Sequence, residues 1–175
     1  VYDFGMSGEH YFLAMEGDVR AAVGWLRDHG VTEVSCAGAS IGANLCLKVA
    51  SADPAIVNVV MLSPGLNYKG ITVGSAVAAY GDRPLLLVAS DDDRYSMTSA
   101  TRLEERATGQ KHFELLERAG HGTKMLNRDP ALEGIVMSWL LGTYQLANGT
   151  PVAPRPAVAA DIKEIETTGK KLDMH

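Results

Sequence analysis

Three short stretches of the chain hold groups able to do covalent chemistry together. "GASIG" (residues 38–42) sets Ser40 between Gly38 and Gly42, "ASDDD" closes an apolar run with Asp91, Asp92 and Asp93, and "AGHGT" sets His121 between Gly120 and Gly122. A serine hydroxyl becomes a strong nucleophile when a base takes its proton and an acid orients that base. Ser40, His121 and one of the three aspartates supply those types. Only one aspartate can sit beside the histidine, because adjacent carboxylates repel. Calcium is the rival use for such a run, but calcium loops space their ligands at alternate positions around a turn glycine, which is absent here.

Helix-like and strand-like segments alternate around these stretches. "VYDF" (1–4) is a short strand candidate, and "EGDVRAAVGWLRDH" from Glu16 is a helix with Val19, Val23 and Leu26 on one stripe and Gly30 as its stop. "VTEVSCA" reads as a strand, residues 41–50 as a helix, and "IVNVVMLS" (56–63) and "PLLLVAS" (84–90) as strands covered on both faces. "HFELLE" (112–117) alternates more and suits a strand near an edge. Ser99 caps the helix of "SATRLEERATG", and Asp129 with Pro130 opens the helix of "DPALEGIVMSWLLG". This alternation predicts an α/β fold, a doubly wound, mostly parallel sheet. Residues 1–146 form the expected catalytic domain, and the Pro- and Ala-rich residues 147–175 an arm or linker.

A sharp strand-to-helix turn explains the glycines. It strains the serine, and small neighbours two residues away leave room for the backbone. The helix starting at Ile41 points its N-terminus at Ser40, which favours negative charge there.

The composition narrows the partners. A net charge of −5 without a basic cluster argues against nucleic acid, and 6% aromatics leaves too few rings for stacking platforms. No apolar run reaches membrane-spanning length. Cys36 and Cys46 are expected as reduced, buried thiols outside any metal-ligand spacing. His10 is expected on a surface loop, His29 at a helix C-terminus and His112 on an exposed strand position. Asp3 reads as a loop anchor, and Met6, Met15, Met97 and Met125 as core filler. The location is not fixed by the sequence; the cytoplasm is favoured, and a removed targeting segment is compatible with a chain that starts at Val1.

The motifs "GASIG", "PLLLVASDDD" and "AGHGT", in the chain order Ser, Asp, His, resemble the serine esterase and lipase-like branch of the α/β-hydrolase superfamily over residues 1–146. The resemblance implies a nucleophile elbow at Ser40, a catalytic triad with His121 as base, and an oxyanion donor in the backbone N–H of Ile41. The family spacing from Pro84 favours Asp93 as the acid. It implies a carboxylic ester hydrolase working through an acyl-enzyme, with a small-molecule ester as partner and no cofactor or metal. "VYDFGMSGE" resembles the family's fourth strand and following loop. Three earlier strands of the family, and the loop that gives its second oxyanion donor, have no counterpart here. The expectation is therefore a fragment of a longer parent whose exposed sheet edge can pair with a second copy. Alternatively "VYDF" pairs with "VTEVSCA", or the chain is a weakly active or inactive binding and assembly module.

Overall fold

The computed structural model describes residues 8–147 and 149–152. The expected strand at 1–4, Asp3, Met6, the loop at 5–7 and most of the expected C-terminal arm lie outside the described residues. The elements are α1 (Gly8–Asp28), β1 (Val34–Ala39), α2 (Ile41–Ala52), β2 (Ile56–Leu62), β3 (Asn67–Tyr68), β4 (Ile71–Thr72), α3 (Ala76–Tyr80), β5 (Leu85–Ser90), α4 (Arg94–Arg106), β6 (Lys111–Leu116), α5 (Lys124–Arg128) and α6 (Leu132–Leu140).

Four strands form a parallel sheet in the order β1-β2-β5-β6, and β3 with β4 makes a small antiparallel hairpin. The two inner strands are the two near-continuous apolar runs, and every residue of both is buried. Their side chains alternate between two cores, as the pleat requires. Val59, Met61, Leu85 and Leu87 face Leu47 and Val49 of α2, Tyr80 of α3 and Leu103 of α4. Val60, Leu62, Leu86 and Val88 face Met125 of α5 and Leu132 and Trp139 of α6. Helices thus cover both faces, as expected for a doubly wound sheet.

Two buried polar contacts fix helices to this sheet. Trp139 Nε1 donates to Asn58 Oδ1 at 2.8 Å, and Asn58 Nδ2 donates to the Trp139 carbonyl at 3.1 Å. The guanidinium of Arg83 donates to the carbonyls of Ala50 and Asp53 at the end of α2, at 2.8 and 3.0 Å, and of Ile56 at the start of β2, at 2.7 Å, tying that helix end to the sheet. Beyond Leu146 the chain turns back; Gln145 bridges Pro151, and Val152 is buried against the α6 core.

Several local expectations are corrected. The first helix starts at Gly8, upstream of Glu16, so His10 lies in its first turns and not on a loop. The helix after β5 starts at Arg94 because Asp93, at the strand exit, caps it first: its Oδ1 accepts the Ser96 N–H at 3.2 Å. Ser99 falls inside that helix and bonds back to the Tyr95 carbonyl at 2.8 Å. Cys36 and Cys46 are joined in a disulfide, not reduced. The strand–turn–helix folds their Cα atoms to within 5.7 Å, inside the range a disulfide needs, although they are ten residues apart in sequence. Met125 is fully buried, as filler should be, and His29 Nδ1 meets the Trp25 carbonyl at 2.8 Å at the end of α1. His112 is half-buried, not exposed, and meets Glu114 at 2.8 Å.

Candidate functional site

Parallel strands send their C-terminal loops to one end of the sheet, where α/β sheets bind ligands. Ser40 leaves β1, Ser63 leaves β2, Asp91 to Asp93 leave β5, and the loop with His121 follows β6.

Ser40 turns the chain between β1 and α2 with φ 56° and ψ −122°, a backbone shape that a side-chain-bearing residue rarely takes. Its N–H donates to the Leu62 carbonyl at 2.8 Å, which holds the turn against β2. Gly38 is required by contact: a Cβ there would lie 2.7 Å from Ala43 N and closer still to the carbonyl of Gly42. Gly42 differs. A Cβ at that position would meet open space, so the crowding felt by Gly38 is the Gly42 backbone itself.

The three sequence-predicted side chains meet. Ser40 Oγ lies 2.8 Å from His121 Nε2, and His121 Nδ1 lies 2.5 Å from Asp93 Oδ2. Burial pushes the Asp93 carboxyl up, but hydrogen bonds from Ser96 and His121 outweigh it and hold it below its ordinary range. An ionised Asp93 can only accept, so Nδ1 carries the ring proton and Nε2 is left to accept from Ser40. Asp93, at 15% side-chain exposure, is well covered, whereas His121 is open at 45%. Ile41 is the first residue of α2, where an N–H has no helical acceptor.

Asp91 and Asp92 are not merely solvated. Asp91 Oδ1 accepts the Arg118 N–H at 2.7 Å, and Asp92 Oδ1 accepts the Gly120 N–H at 3.0 Å and the Ser90 hydroxyl at 2.5 Å. Ser90 Oγ in turn accepts the Ala119 N–H at 2.8 Å, and Ser63 Oγ accepts the Gly122 N–H at 2.8 Å. The loop around His121 is therefore held by side chains from the ends of β2 and β5. The Ser90 hydroxyl, then the Gly120 N–H, keeps the Asp92 carboxyl below its ordinary range.

Sequence reasoning missed Ser63, Ser90, Ser96 and Tyr68. The available signal is positional: Ser63 and Ser90 are the polar residues closing the two fully buried strands, at the sheet end that holds the site. Among the described residues no group of three His, Cys, Asp or Glu side chains could hold a metal ion, and no helix is long and apolar enough to cross a membrane.

No protein-family model and no curated protein matches the chain. Solved structures do. An α/β-hydrolase enzyme, MGS-MChE2, from the metagenome of sediments of the Mar Chica lagoon, Morocco, is 11% identical and superposes over 69% of this chain and 67% of its own with a TM-score of 0.58. A dienelactone hydrolase from Anabaena variabilis ATCC 29413 is 21% identical over 59% of this chain, with a TM-score of 0.49; the match spans 46% of that protein's length. The chain has an α/β-hydrolase-like fold.

Proposed function

We propose that this α/β-hydrolase-like chain is a serine hydrolase that cleaves carboxylic esters through an acyl-enzyme intermediate. The observation that carries the reading is the continuous hydrogen-bonded series Ser40–His121–Asp93 at the C-terminal end of a parallel sheet. In the first step the Ser40 oxygen bonds to the ester carbonyl carbon while its proton passes to His121 Nε2. The Ile41 N–H, at the head of α2, donates to the carbonyl oxygen as it gains negative charge. Collapse of the tetrahedral intermediate breaks the bond to the alcohol, which leaves with the proton from His121. Water then repeats the sequence on the acyl-enzyme, with His121 as base, and releases the acid. Asp93 stays ionised, holds the imidazole tautomer and stabilises the imidazolium.

The test is hydrolysis of a panel of p-nitrophenyl esters by the parent chain and by Ser40→Ala. The reading requires hydrolysis by the parent that is lost in the variant; equal rates in both overturn the serine mechanism.

A second reading, a weakly active or inactive module that binds or assembles through its sheet edge, draws on β1. Among the described residues β1 has one neighbour, β2, and none of its residues is fully buried. Ser35 Oγ on that strand is buried without a hydrogen-bond partner among the described residues. An apolar groove of about 240 Å³ opens beside β1, between Ala37, Ala39, Val60, Leu126 and Val136. An inert parent chain that self-associates would favour this reading over the first.

A further inference from the structure

Tyr68 stands on the β3–β4 hairpin, in a stretch of turn residues, and its ring is turned toward the site. The ring meets that of His121 edge-on, with centroids 6.2 Å apart and planes at 85°. Its hydroxyl lies 3.0 Å from Ser96 Oγ and 3.3 Å from the Ser63 carbonyl, and the Ser40 side chain is a further polar neighbour. Ser96 is also the residue whose N–H Asp93 accepts. Ser40, His121, Asp93, Ser96 and Tyr68 thus form a chain of polar contacts that runs from the serine round to the phenol.

The hairpin is built to hold that phenol in place. Asn44, buried one turn beyond Ser40 in α2, donates to the carbonyls of Gly65 and Ile71 at 2.8 and 2.9 Å and accepts the Gly65 N–H at 3.1 Å. The Leu66 N–H donates to Ser99 Oγ at 3.2 Å, and the Tyr95 hydroxyl bonds the N–H and carbonyl of Asn67 at 3.0 and 2.9 Å. Tyr68 packs so closely on Gly65 that a Cβ there would lie 2.5 Å from the ring. A loop fastened from α2 and α4 therefore delivers one hydroxyl to the serine.

We propose, resting on the serine-hydrolase reading, that Tyr68 is a further catalytic residue whose hydroxyl donates a hydrogen bond to the carbonyl oxygen as Ser40 attacks. The phenol keeps its proton throughout; the proton that moves is the one passing from Ser40 to His121. Burial, with the Asp93 charge adding to it, holds the phenol above its ordinary pKa, so it is a donor across the neutral range. In the resting site its bond to the Ser63 carbonyl is long and weak, and its contact with Ser96 can run in either direction. The proton can therefore turn to the substrate oxygen while Ser96 keeps the phenol oxygen paired. Such a donor, fixed before substrate arrives, is worth most where charge develops. It would act beside the Ile41 N–H as a second oxyanion donor.

The experiment compares the full 175-residue chain with Tyr68→Phe, which keeps the ring packing and removes only the hydroxyl. Fluorophosphonate labelling and steady-state hydrolysis of p-nitrophenyl acetate and its thionoester counterpart are measured, with the thermal midpoint as a control. The expected result is a fall in kcat of about a hundredfold, with KM and the thermal midpoint little changed. The preference for ester over thionoester should shrink as well, because sulfur accepts hydrogen bonds poorly. Equal kcat in parent and variant overturns the Tyr68 role alone. So does a loss of kcat that comes with a collapsed thermal midpoint and an unchanged ester-to-thionoester ratio, which would make the hydroxyl structural. A parent chain that neither labels nor hydrolyses overturns the serine-hydrolase reading and this role with it.

Discussion

Replacing Ser90 by alanine tests whether the ends of the strands, and not the histidine loop itself, position His121. The Ser90 hydroxyl is fully buried; it accepts the Ala119 N–H at 2.8 Å and donates to Asp92 at 2.5 Å. Alanine leaves the buried Ala119 N–H without its acceptor, a loss of about 1–3 kcal/mol. For a chain of this size each kcal/mol moves the thermal midpoint by about 2–4 °C, so the variant should melt roughly 2–12 °C lower. The pH dependence follows from Asp92, whose pKa is depressed from 3.8 chiefly by the Ser90 hydroxyl. A depressed carboxyl contributes stability above its unfolded pKa and loses it as pH falls through the folded one. Without Ser90 that contribution shrinks, so the gap between parent and variant should be widest near neutrality and narrow below pH 3.8. Denaturant melts at pH 7 and pH 3 measure the gap, and kcat for a p-nitrophenyl ester should fall because His121 is two residues from Ala119. A variant that melts with the parent at both pH values and hydrolyses at the parent rate would show that Ser90 does not position the histidine loop.

Asp93→Asn should lower kcat by about 10⁴-fold, because an amide can hold the imidazole in the wrong tautomer; a steady-state assay showing parent activity would return the role to another group. Gly38→Ala should give a poorly folded chain by circular dichroism, since the new methyl meets backbone at Gly42 and Ala43 and not a side chain that could swing away. Reducing the Cys36–Cys46 disulfide, which closes a loop of about ten residues, should cost about 2–3 kcal/mol in denaturant melts run with and without reductant.

The sheet is legible because its inner strands are short, near-continuous apolar runs, broken in β2 only by Asn58, which suit strands covered on both faces. Ser40, Asp93 and His121 can be read together from the sequence because each lies in a turn or loop that follows a strand, at the same end of that sheet. Asp93 could be preferred over its neighbours only through the resemblance, since three consecutive aspartates look alike until the turn directs each one. Here Asp91 and Asp92 point back to the histidine loop, and Asp93 points to the ring. The disulfide was hidden because spacing alone cannot tell two buried thiols from two thiols brought together by a turn. Tyr68 was hidden for a related reason: it reaches the site only through a hairpin whose anchors, Asn44, Ser99 and Tyr95, lie on two different helices. The start of α4 is not legible from residue type, because Ser99 is as good a cap as Asp93 and the choice belongs to the residue that leaves the strand first.

In the proposed mechanism His121 activates Ser40. The most direct measurement is the rate and site of fluorophosphonate labelling, by intact mass and peptide mapping, in the parent chain, Ser40→Ala and His121→Ala. The expected result is a single adduct on Ser40 in the parent, none in Ser40→Ala, and labelling slowed by orders of magnitude in His121→Ala. An adduct on another residue, no adduct at all, or equal labelling rates with and without His121 would contradict it.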